Sequence, residues 1–108
     1  MERRICSRVP LDAPFFVIAR LADGQRYSAI LVDCGRGGVQ LAFSLAKGVI
    51  SSLLGQKMVI LDLPEGLGTD PDGCPGVVTW VSPQRCGVRF DQLLSLTEEE
   101  VTAIAHSF

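Results

Sequence analysis

Between Pro14 and Phe43 the chain reads PFFVIARLADGQRYSAILVDCGRGGVQLAF. Three runs rich in β-branched and aromatic residues are punctuated by two glycine turns, a pattern of short strands joined by tight reversals. The first two runs are Phe15–Leu21 and Gln25–Asp33, with Ala22-Asp23-Gly24 between them as a hairpin signal. The third, GVQLAF, is residues 38–43 and follows the turn DCGRGG. Further on, KMVILDL (57–63), VVTWVS (77–82) and GVRFDQL (87–93) read as strands, the last two joined at Pro83-Gln84-Arg85. Leu45, Val49, Ile50, Leu53 and Leu54 have a broken helical spacing, interrupted by Gly48, that predicts a short helical turn. PEGLGTDPDGCPG (64–76) reads as a long solvent-facing loop. The clearest helix is C-terminal. Thr97 and Glu100 form a capping box, Leu96 and Val101 suit a hydrophobic staple, and Val101, Ile104, Ala105 and Phe108 share one face. About six strands and one terminal helix predict a mainly all-β domain, an antiparallel barrel or small sandwich with the helix packed on it.

At 108 residues one domain is expected, with residues 1–13 as a flexible basic arm and 14–108 as the folded body. A chain of this length buries roughly 65% of its unfolded surface, enough for one core. Net charge is −2, which disfavours general binding to DNA, RNA or anionic membrane. The charges are segregated, however. Arg3, Arg4, Arg8, Arg20, Arg26 and Arg36 all precede position 37, whereas most acids follow it. A locally basic segment in an acidic chain suits a small, concentrated anion. No run approaches the ~20 apolar residues of a membrane span. No secretory leader is visible, and the four cysteines (Cys6, Cys34, Cys74, Cys86) lack metal-site spacing. These features predict a cytoplasmic protein with free thiols, no metal and no membrane insertion.

Two short elements carry chemistry. Arg4 and Arg8 are spaced R-x-x-x-R, with Arg3 beside them, in RRICSR. Guanidinium groups grip phosphate in bidentate fashion and stack on purines. Asp33, Gly35, Arg36, Gly37 and Gly38 lie in DCGRGG. A strand-end carboxylate can accept from guanine N1–H and N2–H₂, glycines let backbone approach a ligand, and Arg36 adds a donor fork. Alternatively Asp33 closes an Asx turn and the glycines form a bulge or a type I′ turn. Other motifs are absent. There is no P-loop, the glycines do not open a helix as a dinucleotide fingerprint does, TDPDG lacks the rest of a calcium loop, and His106 has no triad partners. Cys6 between two arginines suits a lowered thiol pKa, though a small incidental residue serves equally. Trp80 is expected in or on the barrel. No catalytic set is evident, so an enzyme is not expected.

RRICSR followed by DCGRGG resembles the two signatures of the PilZ domain, a bacterial receptor for cyclic di-GMP. Arg4 and Arg8 match its R-x-x-x-R motif. Asp33, Gly37 and Gly38 match D-x-S-x-G-G, and GVRF at Gly87–Phe90 is similar to the family's last barrel strand. The resemblance implies a six-stranded antiparallel β-barrel with a C-terminal α-helix. It also implies that Arg4 and Arg8 clasp phosphate and guanine, that Asp33 reads a guanine edge, and that the Gly37–Gly38 backbone lies under the ligand. The expected role is a signalling adaptor. Cyclic di-GMP orders the arm over the barrel, and the new surface meets an effector protein whose identity the sequence does not give. No cofactor beyond that ligand is expected. One position departs: the family serine is Gly35. Losing a neutral hydrogen bond costs about 0.5–1.5 kcal/mol, whereas bonds to charged groups are worth about 1.5–3 kcal/mol, so weakened binding is expected. The other reading is a PilZ-like protein–protein interaction module that binds no nucleotide.

Overall fold

The computed structural model describes residues 9–43, 47–64, 66 and 73–106. Six strands, β1 (Val9–Leu21), β2 (Arg26–Gly35), β3 (Gly38–Ala42), β4 (Lys57–Leu61), β5 (Cys74–Val81) and β6 (Arg85–Phe90), form a closed barrel in the order β1-β2-β3-β6-β5-β4. All neighbouring pairs are antiparallel. Closure removes the open edges that a six-stranded sheet would otherwise present. Helix α1 (Lys47–Ser51) is a single short turn after β3, and α2 (Glu98–Ala105) packs against β1 and β2.

Alternation along the strands fills the core with Val17, Ala19 and Leu21 from β1, Ala29 and Leu31 from β2, and Val39 and Leu41 from β3. Met58, Ile60, Val78, Cys86, Val88 and Phe90 complete the ring, and Ile50 and Leu53 enter from the α1 segment. Burying one such aliphatic side chain contributes about 1.5–3 kcal/mol relative to exposure. Thr97 caps α2 as its sequence predicts. Its Oγ1 accepts from the Glu100 N–H at 3.1 Å, and its own N–H donates to Glu100 Oε1 at 3.0 Å. Val101 and Ala105 are buried and Ile104 packs beside them; Phe108 lies outside the described residues.

Three expected boundaries are corrected. Residues 9–13, read as arm, are strand: Val9 pairs with Cys34 and Pro10 with Asp33. Pro10 therefore does not separate the arm from the barrel. It is tolerated because β1 pairs with β4 only over Ile18–Leu21, and the β1–β2 register slips between Pro10 and Phe15. The long loop ends earlier than expected, since Cys74–Gly76 already pair with β4. Arg85 belongs to β6 rather than to the preceding turn, and β6 ends at Phe90. Trp80 lies on the barrel over Gly87, its cross-strand partner on β6, where a Cβ would collide with the indole.

The slip in β2 has the largest consequence for the site. Ala29 and Leu31 point inward, so strict alternation would send Asp33 into the core. The β2–β3 register instead shifts between Leu31 and Asp33. The extra residue moves Cys34 inward, where it is buried, and turns Asp33 to the outer face.

Candidate functional site

A two-residue turn, Arg36-Gly37, joins β2 to β3 with Gly35 opposite Gly38. That turn fixes the pairings Cys34↔Val39 and Asp33↔Gln40. It is held by the last residue of β6 and by the segment that follows it. The Phe90 N–H donates to the Gly37 carbonyl and the Leu94 N–H to the Arg36 carbonyl, each at 2.8 Å. Among the described residues positive φ occurs at Gly24, Gly55, Gly66, Gly73 and Asp62, not in this turn. The type I′ alternative, which needs two positive φ values, is thereby excluded. Gly38 has a structural reason of its own. A Cβ there would run into the Val88 carbonyl oxygen on β6, which is backbone and cannot swing aside. The last glycine of the motif thus permits close β3–β6 contact.

Asp33 is half-buried, and its Oδ2 accepts from the side-chain amide nitrogen of Gln40 at 2.8 Å once that amide is oriented by its neighbours. The Gln40 oxygen then accepts from Arg85 Nη1 at 3.1 Å. A polar chain therefore crosses three strands on the outside of the barrel. Sequence reasoning missed Gln40 and Arg85. The available signal was Gln40 as the one polar residue in GVQLAF, out of phase with inward Val39, Leu41 and Phe43.

Arg36 faces a different feature, an open groove of about 500 Å³ whose lining includes Val9, Arg36, Glu98, Glu99, Thr102 and His106. Its Nε is shielded from solvent without a hydrogen-bond partner, and Arg36 shares the groove with Glu98 and Glu99 from the acidic first turn of α2. Gly35 is buried and Gly37 half-buried. Burial, reinforced by the charge on Asp33, pushes the Cys34 thiol up to about 11; burial alone pushes Cys86 up to about 12. Both thiols stay protonated at neutral pH and are poor nucleophiles. Among the described residues no His, Cys, Asp and Glu gather into a metal-binding group, and no helix is long and apolar enough to cross a membrane.

Arg3, Arg4, Cys6 and Arg8 lie outside the described residues. The described chain begins at Val9, in register with Cys34 and one position from the Pro10↔Asp33 pair. Strand pairing thus puts Val9, the residue that follows Arg8 in sequence, against the DCGRGG hairpin.

The described chain is thus a small antiparallel barrel with an acidic–glycine hairpin turned outward beside its first strand. The family model of the PilZ domain matches residues 2–106, nearly the whole chain, and the protein belongs to that family. It is a domain of the cyclic di-GMP-binding type, and such domains work as binding and adaptor modules. No curated protein sequence matches the chain.

Proposed function

We propose that this protein binds cyclic di-GMP on the outer face of the barrel and signals by folding its arginine arm over the ligand. The observation that carries this reading is the β1–β2 register, Val9↔Cys34 and Pro10↔Asp33. Covalent geometry keeps the Arg8 Cα about 3.8 Å from that of Val9 and the Arg4 Cα within about 18 Å of it. Both guanidiniums can therefore reach a ligand seated against Asp33. Arg4 and Arg8, with Arg3 in support, take the phosphates. Asp33 takes a guanine edge, and the Gly35–Gly38 hairpin forms the floor with Arg36 at its rim. Ordering residues 2–8 costs about 1–2 kcal/mol each, so the affinity is modest. The folded arm then offers an effector protein a surface absent in the free state. Trypsin tests this. Saturating cyclic di-GMP should suppress cleavage after Arg3, Arg4 and Arg8, whereas guanosine monophosphate, which cannot span both motifs, should not. Equal cleavage with and without cyclic di-GMP would defeat the clasp.

Gly35→Ser should tighten binding. Cys34 points inward, so residue 35 alternates to the same face as Asp33, and Gly35 does not hold a positive φ. Serine there meets no left-handed strain and restores the family hydroxyl, a gain of about 0.5–1.5 kcal/mol. Affinity measured beside melting temperature separates this gain from any packing cost. No gain at an unchanged melting temperature would remove Gly35 as a cause of weak binding.

A second reading, an interaction module without nucleotide, is favoured by Gly35 itself and by an exposed apolar pair. Phe16 is 68% exposed and pairs with Ile30 on the outer face of β1 and β2. Such a pair suits a protein partner.

A further inference from the structure

The Asp33–Gln40–Arg85 chain joins side chains from three successive strands, β2, β3 and β6, by hydrogen bonds on the outer face. We infer that Gln40 is a specificity-determining positioning residue for guanine, holding the Asp33 carboxylate in place while itself held by Arg85. The inference rests on the cyclic di-GMP reading above and deepens it.

The chemistry is directional. An amide has a donor end and an acceptor end, and Arg85 can only donate. Arg85 Nη1 occupies the Gln40 oxygen at 3.1 Å, which leaves the Gln40 nitrogen to face Asp33 Oδ2 at 2.8 Å. A reversed amide would set its oxygen against the carboxylate and its nitrogen against the guanidinium, a double mismatch. Arg85 therefore fixes which way Gln40 points, and Gln40 presents a donor to Asp33. Gln40 leaves Oδ2 a second lone-pair site, whereas Oδ1 is shielded from solvent in this structure and has to be uncovered before a ligand can use both oxygens. Guanine offers two adjacent donors, N1–H and N2–H₂, to such an acceptor pair. Adenine offers one donor beside an acceptor nitrogen, which would oppose the carboxylate. Discrimination requires that Asp33 not swing aside, and the register secures this. Gln40 sits opposite Asp33 on one side and opposite Gly87 on the other, with Trp80 packed over Gly87. Gln40 is half-buried there and Arg85 is exposed. Arg85 orients Gln40 from the solvent side.

The test is a double-mutant cycle read by calorimetric titration with cyclic di-GMP and with cyclic di-AMP. Gln40→Leu keeps the side-chain bulk and removes the donor. It should weaken cyclic di-GMP binding about tenfold and narrow the preference for guanine over adenine by a similar factor, with an unchanged melting temperature. Arg85→Met should show the same effect in smaller measure, about threefold. The double variant should be no weaker than Gln40→Leu alone, since Arg85 has nothing left to act through. Additive losses in the double variant would overturn the relay. So would a Gln40→Leu titration whose affinity and base preference match the wild type while the wild type binds. Absence of wild-type binding to either dinucleotide would overturn the proposed function itself, and the recognition role of Gln40 with it.

Discussion

Replacing Arg4 or Arg8 with alanine is expected to weaken cyclic di-GMP binding by more than tenfold each, and replacing both to remove it. In the proposed clasp each guanidinium contributes charge-assisted hydrogen bonds to phosphate, about 1.5–3 kcal/mol apiece, or roughly ten- to hundredfold in affinity. The two act on one ligand from one short segment, so the double loss should exceed either single loss by a wide margin. Stability should not change. Among the described residues the buried core is built from side chains between Val17 and Ala105. Urea denaturation beside calorimetry separates the two effects. An Arg8→Ala variant that binds as tightly as wild type would remove the arm from the site.

Gly38→Ala should do the reverse, lowering stability sharply. A methyl at position 38 meets the Val88 carbonyl oxygen, and β3 and β6 must move apart to admit it. Overpacking of this kind costs about 1–3 kcal/mol, which for a domain of this size shifts the urea midpoint on the order of 1 M. The contrast divides the roles of the two sequence signatures. In the proposed function the arginines serve the ligand, whereas the final glycine serves the strand contact that shapes the hairpin. An unchanged midpoint would mean that the Val88 carbonyl yields and that Gly38 is needed for another reason.

Much of the fold was legible because its signals are local. The Asp23-Gly24 turn, the alternation in β1–β3 and the Thr97–Glu100 capping box each depend on residues a few positions apart. What escaped was either masked by proline or set by register. Pro10 and its charged neighbours made the first part of β1 look like a tail, and the Gly/Pro/Asp composition of residues 64–76 hid the start of β5. The site was legible at Asp33 and Gly38 as residue types but not as geometry. Period-two alternation from Ala29 and Leu31 places Asp33 inside, and only the slip at Val32 brings it out. Gln40 and Arg85 could be joined to Asp33 only once the Arg36-Gly37 turn had fixed the β2–β3 pairing and barrel closure had placed β6 beside β3.

The central claim is that a basic segment and an outward Asp33 together recognise cyclic di-GMP. Isothermal titration of the full chain with cyclic di-GMP, with guanosine monophosphate and cyclic di-AMP as controls, tests it most directly. The account predicts a saturable isotherm in the micromolar range for cyclic di-GMP, much weaker heats for the controls, and loss of the isotherm in the Arg4→Ala/Arg8→Ala variant. A cyclic di-GMP titration indistinguishable from that of guanosine monophosphate would contradict it and leave the nucleotide-free interaction module as the better reading.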